Sequence, residues 1–288
     1  MLKKLLKYEF KAQSRTLVPM ICSIIVGGFL AALMLTINFR MPFDDGPLAE
    51  IMRSSTILLA VILIIAIFAS TLVITFLLVQ RYYKNFFTDE GYLTFTLPVT
   101  TGQHIIAKLI AASVWSVAAG IAFTVAILFL VTFGTTSEGI FNVEFWREFT
   151  SIIEMVWKEA VAAIGAGNMA LYVTEIVLLA IVSIPSSIMI FYYAMTQGCV
   201  TAKKNKILAS IGFFFLAQIF IQIVRNTLST MVLMSSNSFT FLDSEITMSS
   251  INTILHISLW INIIVYIGVT VAGFFVCRHL LNKKLNLE

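Results

Sequence analysis

Six stretches of this chain contain no Asp, Glu, Lys or Arg: residues 16–39, 54–80, 109–137, 176–202, 207–224 and 246–277. They run to 24, 27, 29, 27, 18 and 32 residues. At about 1.5 Å of rise per residue, each crosses or nearly crosses a hydrocarbon layer of about 30 Å. Lipid offers no partner to backbone N–H and C=O groups, so only helices or a closed barrel can span it. Barrel strands alternate in polarity over about ten residues, whereas these runs are continuously apolar, which selects helices. A soluble domain carries about a quarter charged residues; here the figure is 12%, with 59% hydrophobic. The sequence therefore predicts an all-α polytopic membrane protein. It is read as a single domain over 1–288, with spans at about 17–38, 54–80, 106–134, 171–197, 207–224 and 252–277.

With six spans both termini fall on one side, and the basic residues say which. Lys3, Lys4, Lys7, Lys11, Arg15, Arg81, Lys84, Lys108, Lys203, Lys204, Lys206, Arg278, Lys283 and Lys284 lie on the terminal side, 14 in all against 5 opposite. Cytoplasmic flanks carry the excess of Lys and Arg, so both termini are expected in the cytoplasm and segment 138–168 outside. The net charge of +4 is strung along helix ends, and no basic groove interleaved with aromatics points to nucleic acid. Cys22, Cys199 and Cys277 are odd in number and lie in or beside apolar spans, which fits neither a disulfide framework nor a metal site. The first span is too long for the core of a cleavable signal peptide and follows a polar segment.

That segment, 1–15, has Leu2, Leu5, Leu6 and Phe10 at helical spacing and Lys3, Lys4, Lys7 and Lys11 opposite. This is the pattern of an interfacial helix on an anionic membrane surface. The loop 40–53 has turn chemistry in Pro42, Asp44, Asp45, Gly46 and Pro47. In 138–168, Trp146, Phe149, Ile153, Val156, Trp157, Ala160 and Ile164 share a face, away from Glu144, Glu148, Glu154, Lys158 and Glu159. An amphipathic helix with interfacial Trp, lying on the outer surface or capping the bundle, is expected there. Segment 225–251 is moderately apolar, with a Ser/Asn stretch and two acids, Asp243 and Glu245.

The connection 81–108 reads RYYKNFFTDEGYLTFTLPVTTGQHIIAK. Thr88 is expected to cap a short helix whose first turn holds Asp89 and Glu90, favoured by the helix dipole. Pro98 ends that element, and Thr100 with Gln103 forms a capping box for the third span. Phe86, Phe87, Tyr92 and Phe95 are expected to be exposed, and a segment rich in exposed aromatics reads as a partner surface. Residues 82–100, YYKNFFTDEGYLTFTLPVT, which contain the coupling segment 84–100, resemble the signature between the second and third membrane helices of type-2 ABC transporter permeases of Gram-positive bacteria. The amphipathic start LLKYEFKAQSR and the six-helix layout are similar to that family over essentially the whole chain.

The resemblance implies a cytoplasmic coupling helix that docks on a separate ABC ATPase subunit, through Thr88, Asp89, Glu90, Gly91, Tyr92, Leu93 and Leu97. It also implies a dimeric translocator, formed by two copies or with a paralogue, with spans two and five lining the interface. ATP and Mg would be bound by the partner subunit. The setting is the bacterial cell membrane and the cargo is usually exported. This chain has no G-x-x-x-x-G-K-[ST] loop, so it holds no ATP cradle of that type and is read as a transport subunit rather than an enzyme, with no cofactor of its own.

Ser70, Thr71 and Thr75 on span two, with Gln218 and Gln222 on span five, are candidates for a substrate path. The competing reading makes them hydrogen-bonded links between helices. Pro185, beside Ser183, Ser186 and Ser187, kinks span four, and nearby hydroxyls are expected to re-satisfy the carbonyl it frees. Glu175 and His256 are ionisable near membrane depth but close to outer helix ends, whereas a proton relay needs such groups near the midplane. No His/Cys/Asp cluster has metal-ligand spacing. An ion- or proton-coupled secondary transporter is the alternative; it is disfavoured because Gly/Pro-broken helices do not recur in matching positions of two halves.

Overall fold

The computed structural model describes residues 2–40, 46–96, 98–135, 143–202, 204–235 and 248–283. These form eight helices and, among the described residues, no strand: α1 (Leu2–Arg40), α2 (Pro47–Phe87), α3 (Glu90–Thr96), α4 (Thr101–Thr135), α5 (Val143–Ile164), α6 (Ala166–Thr201), α7 (Lys206–Ser235) and α8 (Met248–Lys283). Six of them, all but α3 and α5, are long and apolar enough to cross a membrane. The chain is a multi-pass membrane protein by this measure.

Several boundaries differ from the sequence expectation, for physical reasons. Segment 1–15 is not a separate helix: α1 runs unbroken through Arg15 and Pro19 for 39 residues. Its lysines are exposed as expected, yet Glu9 and Gln13 are buried with Leu17 in the stripe that continues to Ile24 and Ala31. The loop after α1 is shorter than 40–53, because α2 already starts at Pro47. Proline suits a first helical position, and the Glu50 N–H meets the Gly46 carbonyl at 3.1 Å. Span five is not 18 residues long. Arg225 stays within α7, its guanidinium donating to the Gln222 side chain, and the helix continues to Ser235. A charge ends an apolar window without ending a helix. Residues 1, 41–45, 97, 136–142, 203, 236–247 and 284–288 lie outside the described residues, and with them Pro42, Asp44, Asp45, Leu97, Asp243 and Glu245.

Two compact units make up the chain: residues 1–6, 79–113 and 157–288 form the first, and 7–78 with 114–156 the second. In the first, α6 packs on both α7 and α8. Met189 and Tyr192 of α6 and Cys277 of α8 are buried there. In the second, α1 meets α4 at Gly28 against Ala126 and at Phe29 edge-on to Phe129, 5.6 Å between centroids. Phe68 of α2 meets Phe123 in the same edge-to-face manner at 5.2 Å. Asn38, nearly fully buried, donates from Nδ2 to the Arg53 carbonyl at 2.8 Å and so ties α1 to α2.

Segment 143–164 is helical as expected, and Gly165 separates it from α6 with φ +88°, a left-handed conformation that only glycine adopts cheaply. The apolar face of α5 is exposed: Trp146, Ile153, Val156 and Trp157 each present between 44% and 60% of their surface. Within this chain α5 therefore does not use that face to cap a bundle. At Pro185 the helix continues, and the serines act differently from expectation. Ser183 donates to the Ala180 carbonyl and Ser187 to that of Ser183, neither reaching the Ile181 carbonyl that Pro185 frees. Ser186 is fully buried and its hydroxyl has no hydrogen-bond partner.

Candidate functional site

The connection between α2 and α4 has a buried base and an exposed tip, both within the first unit. The base starts where α2 leaves its apolar run. Tyr82 and Phe86, one turn apart, are 1% and 0% exposed. The Tyr82 ring stacks parallel on Tyr192 of α6, 3.9 Å between centroids and 9° between planes. Its hydroxyl lies 2.8 Å from Thr196 Oγ1. Thr196 gives its own proton to the Tyr192 carbonyl at 2.7 Å, so Tyr82 is the donor of the pair. Tyr192 in turn donates to the Lys108 carbonyl on α4 at 3.4 Å.

Phe86 extends this core toward α4. It stands edge-on to Tyr82 at 4.9 Å and perpendicular to His104 at 6.3 Å. Lys108 Nζ lies 5.4 Å from the Phe86 centroid. With the Asn85 amide oriented to satisfy both its ends, Nδ2 donates to the Arg81 carbonyl at 2.7 Å and Oδ1 accepts from Lys108 Nζ at 3.2 Å. Lys108 is thus not a solvent-facing flank of its helix: it is 2% exposed, its ammonium held by an aromatic face and an amide oxygen. The start of α4 is fixed separately. Thr100 and Gln103 form the expected capping box, each side chain meeting the other's backbone N–H at 3.4 Å. Thr101 Oγ1 donates to Asn282 Oδ1 of α8 at 2.6 Å.

The tip is α3 and the two residues before it. The helix begins at Glu90, with Asp89 and Glu90 exposed. Tyr92 and Leu93 present 55% and 73% of their surface, while Gly91 is buried. Thr88 does not cap α3. Its hydroxyl donates back to the Lys84 carbonyl of α2 at 2.5 Å, and its own carbonyl accepts the Gly91 N–H at 2.7 Å. A threonine following an unbroken helix finds the carbonyl four residues earlier within reach, and α2 runs to Phe87. Thr88 is the corner of the connection rather than the start of α3.

The path candidates fall in different units. On α2, Ser70, Thr71 and Thr75 donate to the carbonyls of Ala66, Ile67 and Thr71, so these hydroxyls are satisfied within their own helix. On α7, Gln218 and Gln222 are exposed, and Gln222 accepts from Arg225. Among the described residues, the hydrogen bonds of Ser70, Thr71, Thr75 and Gln222 stay within their own helices.

At the opposite end of α6 the structure brings together residues that the sequence had kept apart. His256 Nδ1 of α8 lies 2.8 Å from Glu175 Oε2 of α6. The His256 ring stacks on Tyr172, 4.0 Å between centroids and 9° between planes. Tyr172 donates to the Asn252 carbonyl at 3.1 Å. Among the described residues no group of three His, Cys, Asp or Glu is placed to hold a metal ion. Sequence reading missed the Tyr82–Tyr192–Thr196 core altogether, although its one signal was visible: aromatic and hydroxyl residues, RYY and FYYAMT, at the terminal-side ends of two apolar runs. No protein-family model, no curated protein and no solved structure matches this chain.

Proposed function

We propose that this chain is the membrane-spanning permease subunit of an ATP-driven ABC exporter, working with a separate ATPase subunit that binds ATP and Mg. The observation that carries the reading is the contrast within the α2–α4 connection. An exposed tip with two acids, an aromatic and a leucine rises from a base with almost no exposed surface. A push on α3 has little room to dissipate in side-chain rearrangement, because interiors this dense transmit strain. It passes into α2 and α4, and through Tyr192 and Asn282 into α6 and α8. That is the mechanical requirement of a coupling helix. In this reading Asp89, Glu90, Gly91, Tyr92 and Leu93 form the docking set, with Thr88 as its corner and Leu97 beyond it, and the chain itself is not an enzyme.

The termini are cytoplasmic in this proposal, α5 lies on the outer membrane surface through its exposed Trp face, and a second permease chain completes the translocator. The proton-coupled alternative draws on the Glu175–His256 pair. Glu175 lies about 39 Å along α6 from its Thr201 end, further than the hydrocarbon thickness of about 30 Å. The pair therefore belongs to the far end of the bundle rather than the midplane, and the ABC reading is preferred.

The test replaces Asp89 and Glu90 by Lys and, separately, Tyr92 by Ala. The dipole penalty of the charge reversal is about 0.3–1 kcal/mol, too small to unfold the protein, so insertion and abundance should stay normal. Recovery of the ATPase with tagged permease, and ATPase activity in the eluate, should fall at least tenfold. Equal recovery and activity for wild type and variants refutes the docking assignment.

A further inference from the structure

Between α6, α7 and α8 lies a partly open cavity of about 410 Å³. Met189 and Ile190 of α6, both buried, make its back wall. Ala217 of α7 and Ala272 of α8 keep it wide, while Leu216 and Phe220 stand exposed at its rim. Tyr193 supplies the polar side chain in an otherwise apolar lining. The volume lies within the range of small-ligand sites. Where the groove ends toward the termini, α6 and α7 touch: a Cβ on Gly198 would sit 2.5 Å from the Ser210 nitrogen and 2.6 Å from its Cα, so only glycine permits this crossing.

Just beyond the crossing comes charge. Lys206 stands seven residues before Phe213, on the same helical face of α7, about 10 Å along the axis from the groove. Lys204, exposed, lies in the link between α6 and α7. Helical side chains lean toward the N-terminus, which aims Lys206 away from the groove toward the water layer. An apolar slot at membrane depth, with two cations at interfacial depth below it, matches one molecular shape: a long acyl chain joined to an anionic headgroup. We infer that this groove is a specific site for one anionic phospholipid of the leaflet on the side of the chain's termini, its tail against Ala217 and Ala272 and its phosphate at Lys204 and Lys206. The inference needs the membrane setting alone and does not rest on the transport reading.

The test uses the purified full-length chain in detergent, titrated with phosphatidylglycerol and with phosphatidylcholine of identical acyl chains, the adducts resolved by native mass spectrometry. One saturable adduct per chain is expected, with phosphatidylglycerol bound about tenfold or more tightly than phosphatidylcholine. Ala217→Phe and, independently, Ala272→Leu fill the slot and should each weaken both lipids at least tenfold with helix content unchanged. Lys204→Gln with Lys206→Gln should leave tail binding in place and bring the two lipids within twofold of each other. Adducts that accumulate without saturating overturn the site, as does undiminished binding to both filled variants. So does a loss confined to the dimer fraction, since a second copy of the chain would then be the occupant.

Discussion

The two ends of α6 solve the same packing problem with different chemistry. At the Thr201 end, Tyr82 and Tyr192 stack at 3.9 Å and a tyrosine hydroxyl is spent on Thr196. At the Ala166 end, Tyr172 and His256 stack at 4.0 Å and a tyrosine hydroxyl is spent on the Asn252 carbonyl. Both pairs lie 9° from parallel, and in both the bonded partners are far apart in sequence. The difference is charge. The first knot is neutral, closed to solvent, and joins α6 to the segment that carries α3. The second includes a carboxylate and an imidazole and joins α6 to α8. A neutral stack transmits displacement without depending on protonation, and it stands where the proposed coupling motion enters. The charged knot stands at the other end, where Glu175 is buried and its carboxylate is paired with His256.

The largest way to break this comparison is Tyr82→Ala. It removes a fully buried aromatic, its stack and its hydroxyl together. Aromatic-to-alanine changes in cores cost about 3–5 kcal/mol, a large part of the stability of an ordinary domain. A marked drop in the midpoint of heat- or SDS-induced unfolding in detergent is expected, along with loss of ATPase stimulation even where some folded protein remains. A midpoint within the error of wild type means that the terminal-side knot holds nothing together.

Glu175→Ala comes next. Hydrogen bonds to charged groups contribute about 1.5–3 kcal/mol, and the Glu175 side chain is only 5% exposed. Its removal leaves His256 Nδ1 without the acceptor 2.8 Å away. Glu175→Gln keeps an acceptor oxygen in place and should recover most of that loss. The same pair of variants separates the two functional readings: transport by a proton-coupled carrier would be abolished by Gln as by Ala, whereas an ATP-driven permease should tolerate Gln. Equal unfolding midpoints for Ala and Gln show that the bond to His256 contributes nothing.

Much of this architecture was legible in the sequence, and the exceptions share a cause. The charge-free runs locate all six long helices because hydropathy over about 20 residues is a property of composition. The capping box Thr100–Gln103 is legible because its partners are three residues apart. Helix ends are less so, since a charge with a local partner, as Arg225 has in Gln222, does not stop a helix. Both aromatic knots escape because they depend on which residues meet across 80 or more positions, and the burial of Lys108 because it depends on Phe86 and Asn85 of another helix; the burial of Glu9 and Gln13 was not legible either. Periodicity says which face of a helix is apolar and is silent on its neighbour. The candidate site divides along that line. The acids and aromatics of α3 could be read from the sequence, while the base that would make them mechanically useful had to be seen.

The smallest expected effect sharpens the comparison most. Tyr82→Phe and Tyr172→Phe each keep a ring in a parallel stack and delete one hydroxyl. In the first, the oxygen left behind is Thr196 Oγ1, fully buried. It keeps its own proton engaged with the Tyr192 carbonyl but loses the donor that served its lone pair. A buried hydrogen-bond deletion of this kind costs about 1 kcal/mol. In the second, the oxygen left behind is the Asn252 carbonyl, inside α8, which still accepts the helical N–H four residues on. Asn252 sits at 9% exposure near the start of its helix, where water can replace the tyrosine. The cost should be about 0.5 kcal/mol or less. Unfolding midpoints of the two variants, measured side by side in the same detergent, should therefore fall in the order wild type, Tyr172→Phe, Tyr82→Phe. If Tyr172→Phe is the more damaging, the far knot is the drier and more tightly determined of the two, and the assignment of mechanical transmission to the terminal-side end loses its energetic basis.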